Sequence, residues 1–325
     1  MTTVNRRLAE GVGWGNLWLT MRILITGGAG FIGSHLAESF QGEAEVRVLD
    51  NLATGHGANL AGLEVDLRRG SILDEVALQG AMVGVDYVFH LAAMVSVPAS
   101  VHDTLACEEV NGVGVVRVLE AASQAGVKKV FFASSAAVYG DNPAVPKTEA
   151  MLPEPKSPYA ITKLQGEHWC QFYHNEGRVK TAALRFFNVF GPRQDPRGAY
   201  AAAVPIFIEK ALKGEPITVY GDGSATRDFI YVKDVVSAIR HVTLMPDLTG
   251  VRNAGYGGRI TVQALAEKIV ELSGSKSEIH YLPGRAGDIL HSMAAVDELL
   301  ATGFRPVSSL EAGLAATLRY VHQLS

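Results

Sequence analysis

The 325-residue sequence contains only two cysteines, Cys107 and Cys170, far apart and outside any C-x-x-C pattern. That scarcity excludes a disulfide framework and a zinc ribbon, and it suits a reducing cytoplasm; no metal site is expected. No run of about 18 apolar residues occurs, so no membrane span is expected. A basic surplus is missing too: 29 Lys and Arg stand against 33 Asp and Glu, a net charge of −4. A nucleic-acid partner would call for such a surplus or a basic stripe, so none is expected. Internal repeats and low-complexity tracts are also absent. With 48% hydrophobic and 19% charged residues, the chain is too apolar for disorder and long enough for one large domain or two smaller ones.

Residues 1–20 depart from the rest, with Arg6, Arg7, Gly11, Gly13 and Gly15 among scattered Trp14, Leu17 and Trp18. They lack the continuous apolar stretch and the small-residue cleavage site of a secretory signal. They read as a loose extension without assigned function, with Met21 the natural start of the fold.

From Met21 onward, short apolar runs alternate with helical spacing. Arg22–Thr26, Val46–Asp50, Tyr87–Leu91, Val130–Ser134 and Ala182–Phe186 are β-branched or aromatic-rich, as strands buried on both faces of a parallel sheet should be. Helical stretches such as Ala106–Ala125 and Pro158–Asn175 separate them. The pattern predicts an α/β fold, a doubly wound parallel Rossmann sheet. After about residue 188, glycine and proline become frequent and isolated helices follow, including Thr261–Ser273 and a last one opening at Ser308-Ser309-Leu310-Glu311. That tetrad reads as a capping box with Ser308 as N-cap. The expected division is an extension (1–20), an NAD-binding Rossmann domain (21–187, with 226–257 returning to it) and a smaller C-terminal α/β lobe for substrate (188–325).

Thr26-Gly27-Gly28-Ala29-Gly30-Phe31-Ile32-Gly33 follows the first strand and opens a helix. Glycines there permit a tight turn, let the backbone approach a pyrophosphate and seat the helix near the sheet, whose N-terminal N–H groups favour an anion. Alone, such a motif is also an ordinary strand–helix turn; its place after a buried strand favours a dinucleotide. Asp50 lies 20 residues beyond Gly30, where a carboxylate accepts from the adenosine ribose hydroxyls. It would repel a 2′-phosphate, and Asn51-Leu52-Ala53 offers no arginine, so NAD is expected over NADP. A simple turn residue is the plainer reading of Asp50.

Ser157 suits an N-cap and Pro158 the first helical position, so Tyr159 and Lys163 fall at i and i+4 on one helix face. A tyrosine with a pKa of about 10 becomes a base near neutrality only if cations favour its phenolate. Taken alone, the pair is also a common surface arrangement. Ser134-Ser135 leaves a strand at its carboxyl end, where a serine hydroxyl meets a substrate hydroxyl or merely caps the strand.

In ordered combination these motifs resemble the extended short-chain dehydrogenase/reductases, and within them the nucleotide-sugar 4-epimerases. The likeness covers nearly all of residues 21–325. It also takes in His90-Leu91-Ala92-Ala93, Leu184–Gln194, Arg227–Val232 and Arg285-Ala286-Gly287-Asp288. It implies Tyr159 as the base, Lys163 as the residue that holds the nicotinamide ribose, and Ser135 as the hydroxyl partner. Cofactor contacts would come from Gly27, Gly30, Phe31, Ile32, Gly33, Asp50, Asn51, Ser71, Ile72, Leu91, Ala92, Ala93, Asn111, Ser134 and Phe187, besides Tyr159 and Lys163. For the substrate, Asn188, Arg227 and Arg285 would hold a diphosphate, Tyr220 and Phe229 would lie near the uridine, and Asp288 would hold its ribose. Ser292, small where some members carry Tyr, would leave room for an N-acetyl group beside Ser135 and Tyr159.

Two departures stand out: Gly70-Ser71-Ile72 replaces Gly-Asp-Ile near the adenine, and Met94-Val95 stands where some members have a lysine. The implied activity is NAD-dependent 4-epimerisation of a UDP-sugar through a transient 4-keto sugar, in a cytoplasmic homodimer built on helices at about 104–124 and 158–175. Val113, Val116, Leu119, Trp169 and Phe172 are compatible with that interface and equally with burial in the monomer. Ala136-Ala137 lacks the acid that related dehydratases place before Val-Tyr-Gly, which counts against that reaction. UDP-glucuronate epimerisation, with Arg193 or Arg197 meeting the carboxylate, and a non-catalytic NAD-binding regulator are the alternatives.

Overall fold

The computed structural model describes residues 21–196, 202–284 and 290–324. The N-terminal extension, Arg197, Arg285 and Asp288 therefore lie outside the described residues. Six strands alternate with helices in the first half: β1 (Arg22–Thr26), β2 (Glu45–Asp50), β3 (Val65–Arg69), β4 (Tyr87–His90), β5 (Lys129–Ser135) and β6 (Lys180–Phe186). Their helices are α1 (Phe31–Ser39), α2 (Glu75–Met82), α3 (Val97–His102), α4 (Thr104–Cys107), α5 (Gly114–Gln124) and α6 (Pro158–Asn175). The second half adds β7 (Asn188–Phe190), α7 (Ala203–Lys213), β8 (Ile217–Tyr220), β9 (Thr226–Arg227), β10 (Phe229–Tyr231), α8 (Val232–Leu244) and β11 (Gly250–Ala254). It closes with β12 (Ile260–Thr261), α9 (Val262–Ser273), β13 (Ile279–Leu282), α10 (Asp297–Ala301) and α11 (Leu310–Leu324).

The main sheet has seven parallel strands in the order β11-β6-β5-β4-β1-β2-β3. Side chains alternate across it as the two-residue strand period requires. Ile23, Ile25, Phe89 and Phe131 join one buried cluster, while Leu24, Val88, Val130 and Phe132 join the other. Strand order reverses between β1 and β4, which opens a crevice at the carboxyl ends where ligands bind in such sheets. Three two-stranded sheets, β10-β7, β12-β9 and β13-β8, build the second half.

Two local expectations need correction. The helix expected over 106–125 is interrupted by a π-helical segment, Glu108–Val113, between α4 and α5. The last helix is capped by Ser309, not Ser308: the Ser309 hydroxyl accepts from Ala312 N at 3.1 Å. The shift has a cause. Asp234 accepts from the Val307 and Ser308 N–H groups at 2.9 and 3.2 Å, which holds Ser308 in the incoming chain.

Candidate active site

Packing accounts for two glycines of the loop and not for the third. A Cβ on Gly27 would come within 2.7 Å of Ala92 N, and one on Gly33 within 2.3 Å of Gly27 O. These two glycines are required by packing, and Gly27 also has a φ of +72°. Gly30 differs: a Cβ there would meet only Gly27 O, at 3.2 Å, among the described residues. Its bareness leaves the N-terminus of α1, where Phe31 and Ile32 begin the helix without a side-chain cap, open to a phosphate. The cradle fits a dinucleotide.

Asp50 is buried, and its two oxygens accept from Ala29 N at 2.9 Å and Leu52 N at 2.8 Å. It therefore organises the loop. Asn51 accepts from Ala53 N at 3.0 Å. At the third strand's end, Ser71 Oγ accepts from Leu73 N at 3.1 Å, while the Ile72 side chain is buried in the core. Ile72 can thus offer a cofactor only its backbone. Beyond β4, Leu91, Ala92 and Ala93 are half-buried. The π-helical segment brings Asn111 to this loop: its carboxamide accepts from Met94 N at 2.8 Å and donates to Met94 O at 3.0 Å. Such segments recur at functional sites.

His90 is fully enclosed, and burial, helped by the nearby Lys163 charge, pushes its pKa down to about 3. Its Nδ1 lies 2.8 Å from Thr26 Oγ1, which itself accepts from Ala92 N at 3.3 Å. Near neutral pH the ring is therefore uncharged, with Nδ1 paired to the Thr26 hydroxyl.

The catalytic candidates converge where α6 crosses the end of β5. Ser157 caps α6 through Ala160 N at 3.2 Å, as its position predicts. Lys163, buried, donates to Ala133 O at 2.8 Å and lies 5.6 Å from the Tyr159 ring centroid. Burial lowers its pKa to about 8. The Ser135 hydroxyl beside that of Tyr159 favours its phenolate, but burial outweighs that and raises its pKa. The chain by itself thus moves this tyrosine opposite to what a base needs. Ser134 is turned away from this group, its buried hydroxyl donating to Glu167.

On the substrate side, Asn188 donates through Nδ2 to Asp228 O at 2.9 Å. Arg227 donates to Thr226 O at 3.0 Å, and Ser292 N donates to Thr226 O at 3.1 Å. These residues are brought together. Phe229 is buried edge-on against Phe190 and Phe187 packs near Tyr139, so both side chains serve the core first. Tyr220 is partly exposed at the end of β8. The sequence reading assigned no role to Asp228, fully buried, whose carboxylate accepts from Tyr256, Gly257 and Ala294 N–H groups at 2.8, 3.1 and 3.0 Å. Nor did it assign one to Glu167 and Arg185, a buried bidentate pair at 2.8 and 2.7 Å. The available signal was a charge inside an apolar run, Leu184-Arg185-Phe186.

Comparison with known proteins agrees with this architecture. UDP-glucose 4-epimerase of Mycolicibacterium smegmatis is 38% identical over 317 residues, covering 94% of this chain and all of that protein. The solved UDP-N-acetylglucosamine 4-epimerase of Methanobrevibacter ruminantium, in complex with UDP-N-acetylmuramic acid, superposes with a TM-score of 0.91 at 37% identity, covering 94% and 99% of the two chains. The Thermus thermophilus UDP-glucose 4-epimerase in complex with NAD gives 0.86 at 38% identity, covering 93% and 99%. The family model for NAD dependent epimerases and dehydratases matches residues 23–255, and the chain belongs to the NAD dependent epimerase/dehydratase family.

Proposed function

We propose that the protein is an NAD-dependent 4-epimerase of UDP-sugars, acting on UDP-glucose/UDP-galactose and on the UDP-N-acetylglucosamine/UDP-N-acetylgalactosamine pair. The observation that carries this reading is the convergence of Ser135, Tyr159 and Lys163 at the carboxyl end of β5, one strand from the β1/β4 crevice. Bound NAD supplies the reversible hydride acceptor for C4 of the sugar. Tyr159 Oη takes the proton of the 4-hydroxyl and returns it to the opposite epimer, with Ser135 holding the same hydroxyl. A shift of the tyrosine pKa from about 10 to about 7 needs roughly 4 kcal/mol of differential stabilisation. Burial opposes that shift, so the neighbouring Ser135 hydroxyl and nearby positive charge must supply it, the cofactor's cationic ring included.

Asn188, Arg227 and Arg285 hold the diphosphate in this reading, since guanidinium forks match phosphate oxygens. Tyr220 and Asp288 hold the nucleoside. The clamp fixes the nucleotide and leaves the hexose free to turn. The cofactor half is residues 21–187 with 226–257, and the substrate half is the rest of 188–325. A 4,6-dehydratase is disfavoured because Ala136 and Ala137, on the turn after Ser135, offer no acid. Of the two arginines that could meet a glucuronate carboxylate, Arg193 is paired with Glu38 at 3.0 Å and Arg197 lies outside the described residues, so the substrate test below includes UDP-glucuronate.

A homodimer is part of the proposal. Val101, Leu105, Val113, Ile161 and Phe172 are exposed on α3, α4, the π-helical segment and α6. Leu119 belongs to the monomer core instead. No described helix is long and apolar enough to cross a membrane, and the two cysteines are free and buried, in keeping with a cytoplasmic enzyme. An NMR time course with UDP-glucose, UDP-N-acetylglucosamine and UDP-glucuronate, without added coenzyme, tests the reading. C4 epimers should form from the first two. Inertness toward both, or stoichiometric release of NADH, overturns it.

A further inference from the structure

A polar row runs across the buried sheet where apolar side chains would be expected. Ser134 on β5, Arg185 on β6 and Asn253 on β11 are lateral partners in adjacent parallel strands. All three are buried, as are Glu167 and Tyr139, which link them. Glu167 accepts from Ser134 Oγ and, through both oxygens, from Arg185 at 2.8 and 2.7 Å. Arg185 also donates to Tyr139 Oη at 2.9 Å, and Tyr139 donates to Asn253 Oδ1 at 2.7 Å.

Such a row is a poor way to gain stability. Desolvating a carboxylate and a guanidinium costs about what their attraction returns, and apolar residues of similar volume often serve as well or better. What the row gives that apolar packing does not is a fixed register, because hydrogen bonds are directional. The register concerned is that of α6. Tyr159, Lys163 and Glu167 stand at i, i+4 and i+8 on that helix, along one face. Each faces one of three consecutive residues at the end of β5: Lys163 donates to Ala133 O, Glu167 accepts from Ser134 Oγ, and Tyr159 stands beside Ser135.

We infer that Glu167, gripped by Ser134 and Arg185, is a positioning residue of the reaction, fixing α6 against β5 so that the Tyr159 hydroxyl meets Ser135. The inference rests on the reading of Tyr159 as the base. A displacement of about 1 Å at such a group costs on the order of 100-fold in rate.

The test uses the NAD-loaded enzyme and UDP-glucose. Ser134→Ala leaves the Glu167–Arg185 pair intact and removes only its hold on β5. It should keep its NAD and its Tm within a few degrees, while kcat falls about tenfold or more and KM changes less than about threefold. The acid limb of the kcat–pH profile should move to higher pH, because a Ser135 hydroxyl set farther from Tyr159 favours the phenolate less. The double variant Glu167→Leu/Arg185→Met, which removes both charges together, should fold and show the same loss. A purely structural role would alter Tm and leave kcat and the pH limb where they were. Folded Ser134→Ala with wild-type kcat and pH limb overturns the inference, whatever the double variant does. Tyr159→Phe, assayed alongside, separates the two readings: if it abolishes turnover while Ser134→Ala does not, the positioning role alone fails.

Discussion

The Asp50 carboxylate accepts a hydrogen bond from Ala29 N at 2.9 Å, so the residue that ends β2 also fastens the glycine loop. Its other oxygen holds Leu52 N at 2.8 Å, where Leu52 has a φ of +59°. Asp50→Ala should therefore lose more than a ribose contact. We expect NAD affinity to fall by an order of magnitude or more, and the exclusion of NADP to ease as the charge opposing its 2′-phosphate disappears. Asp50→Asn keeps one acceptor oxygen and should ease NADP exclusion with a smaller loss of NAD. Calorimetric titration with both dinucleotides checks this; an unchanged preference in both variants would show that the ribose binds elsewhere.

Tyr159→Phe removes one oxygen and leaves the ring in place. Folding and NAD content should persist, while turnover drops by roughly 100- to 10,000-fold, the usual worth of a positioned acid–base group. Near-normal kcat would remove Tyr159 from the mechanism.

His90 should make the protein acid-sensitive. Its pKa is about 3 when folded and 6.5 in the reference state, so between these values the unfolded chain binds the extra proton. Stability therefore rises with pH across that window; the contribution is whole above about 6.5 and is lost as pH falls toward 3. At pH 4.5 the loss amounts to roughly 2–3 kcal/mol. His90→Gln should unfold at a lower urea concentration at pH 7 yet lose less between pH 7 and pH 4.5 than the wild type. An identical pH dependence in the two proteins would refute the assignment.

The sheet and the helix that carries Tyr159 and Lys163 were legible because their signals are local. Continuous apolar runs gave β1, β2, β4, β5 and β6, and Ser157-Pro158 gave the start of α6. β3 and β11, the two edges of the sheet, were harder to read. β3 is an edge strand carrying Asp66, Arg68 and Arg69, since an edge keeps charge. β11 arrives from far along the chain and includes Arg252 and Asn253. In the site, residue types at fixed spacing identified Tyr159 and Lys163. The grip of Ser134 and Arg185 on Glu167 joins three elements, and no single-segment pattern encodes it.

The exposed apolar face predicts association. Phe172 and Ile161 are about half exposed, and with Trp169 and Leu164 they line one groove. Phe172→Glu, which puts a charge on a face too apolar for a free surface, should shift a dimer to monomer in analytical ultracentrifugation while leaving the monomer folded. A wild-type protein that is monomeric at micromolar concentration would contradict the interface.

In the proposed reading, substrate size turns on Ser292. Its N–H donates to Thr226 O at 3.1 Å, which seats it on the strand that carries Arg227, the proposed diphosphate ligand. Ser292 is half-buried, and in the proposed reading so small a side chain leaves room for the 2-substituent of a sugar held by its diphosphate. Packed interiors tolerate little overfilling, and added bulk typically costs 1–3 kcal/mol. By that measure Ser292→Tyr should reduce kcat/KM for UDP-N-acetylglucosamine by about tenfold or more and spare UDP-glucose, because the plain hydroxyl at C2 needs no such room. The backbone bond to Thr226 does not involve the side chain, so the strand should keep its place in the variant. Steady-state kinetics on both sugars decide the matter: equal losses on the two, or a wild-type enzyme inert toward the N-acetylated sugar, would mean that the pocket is closed elsewhere.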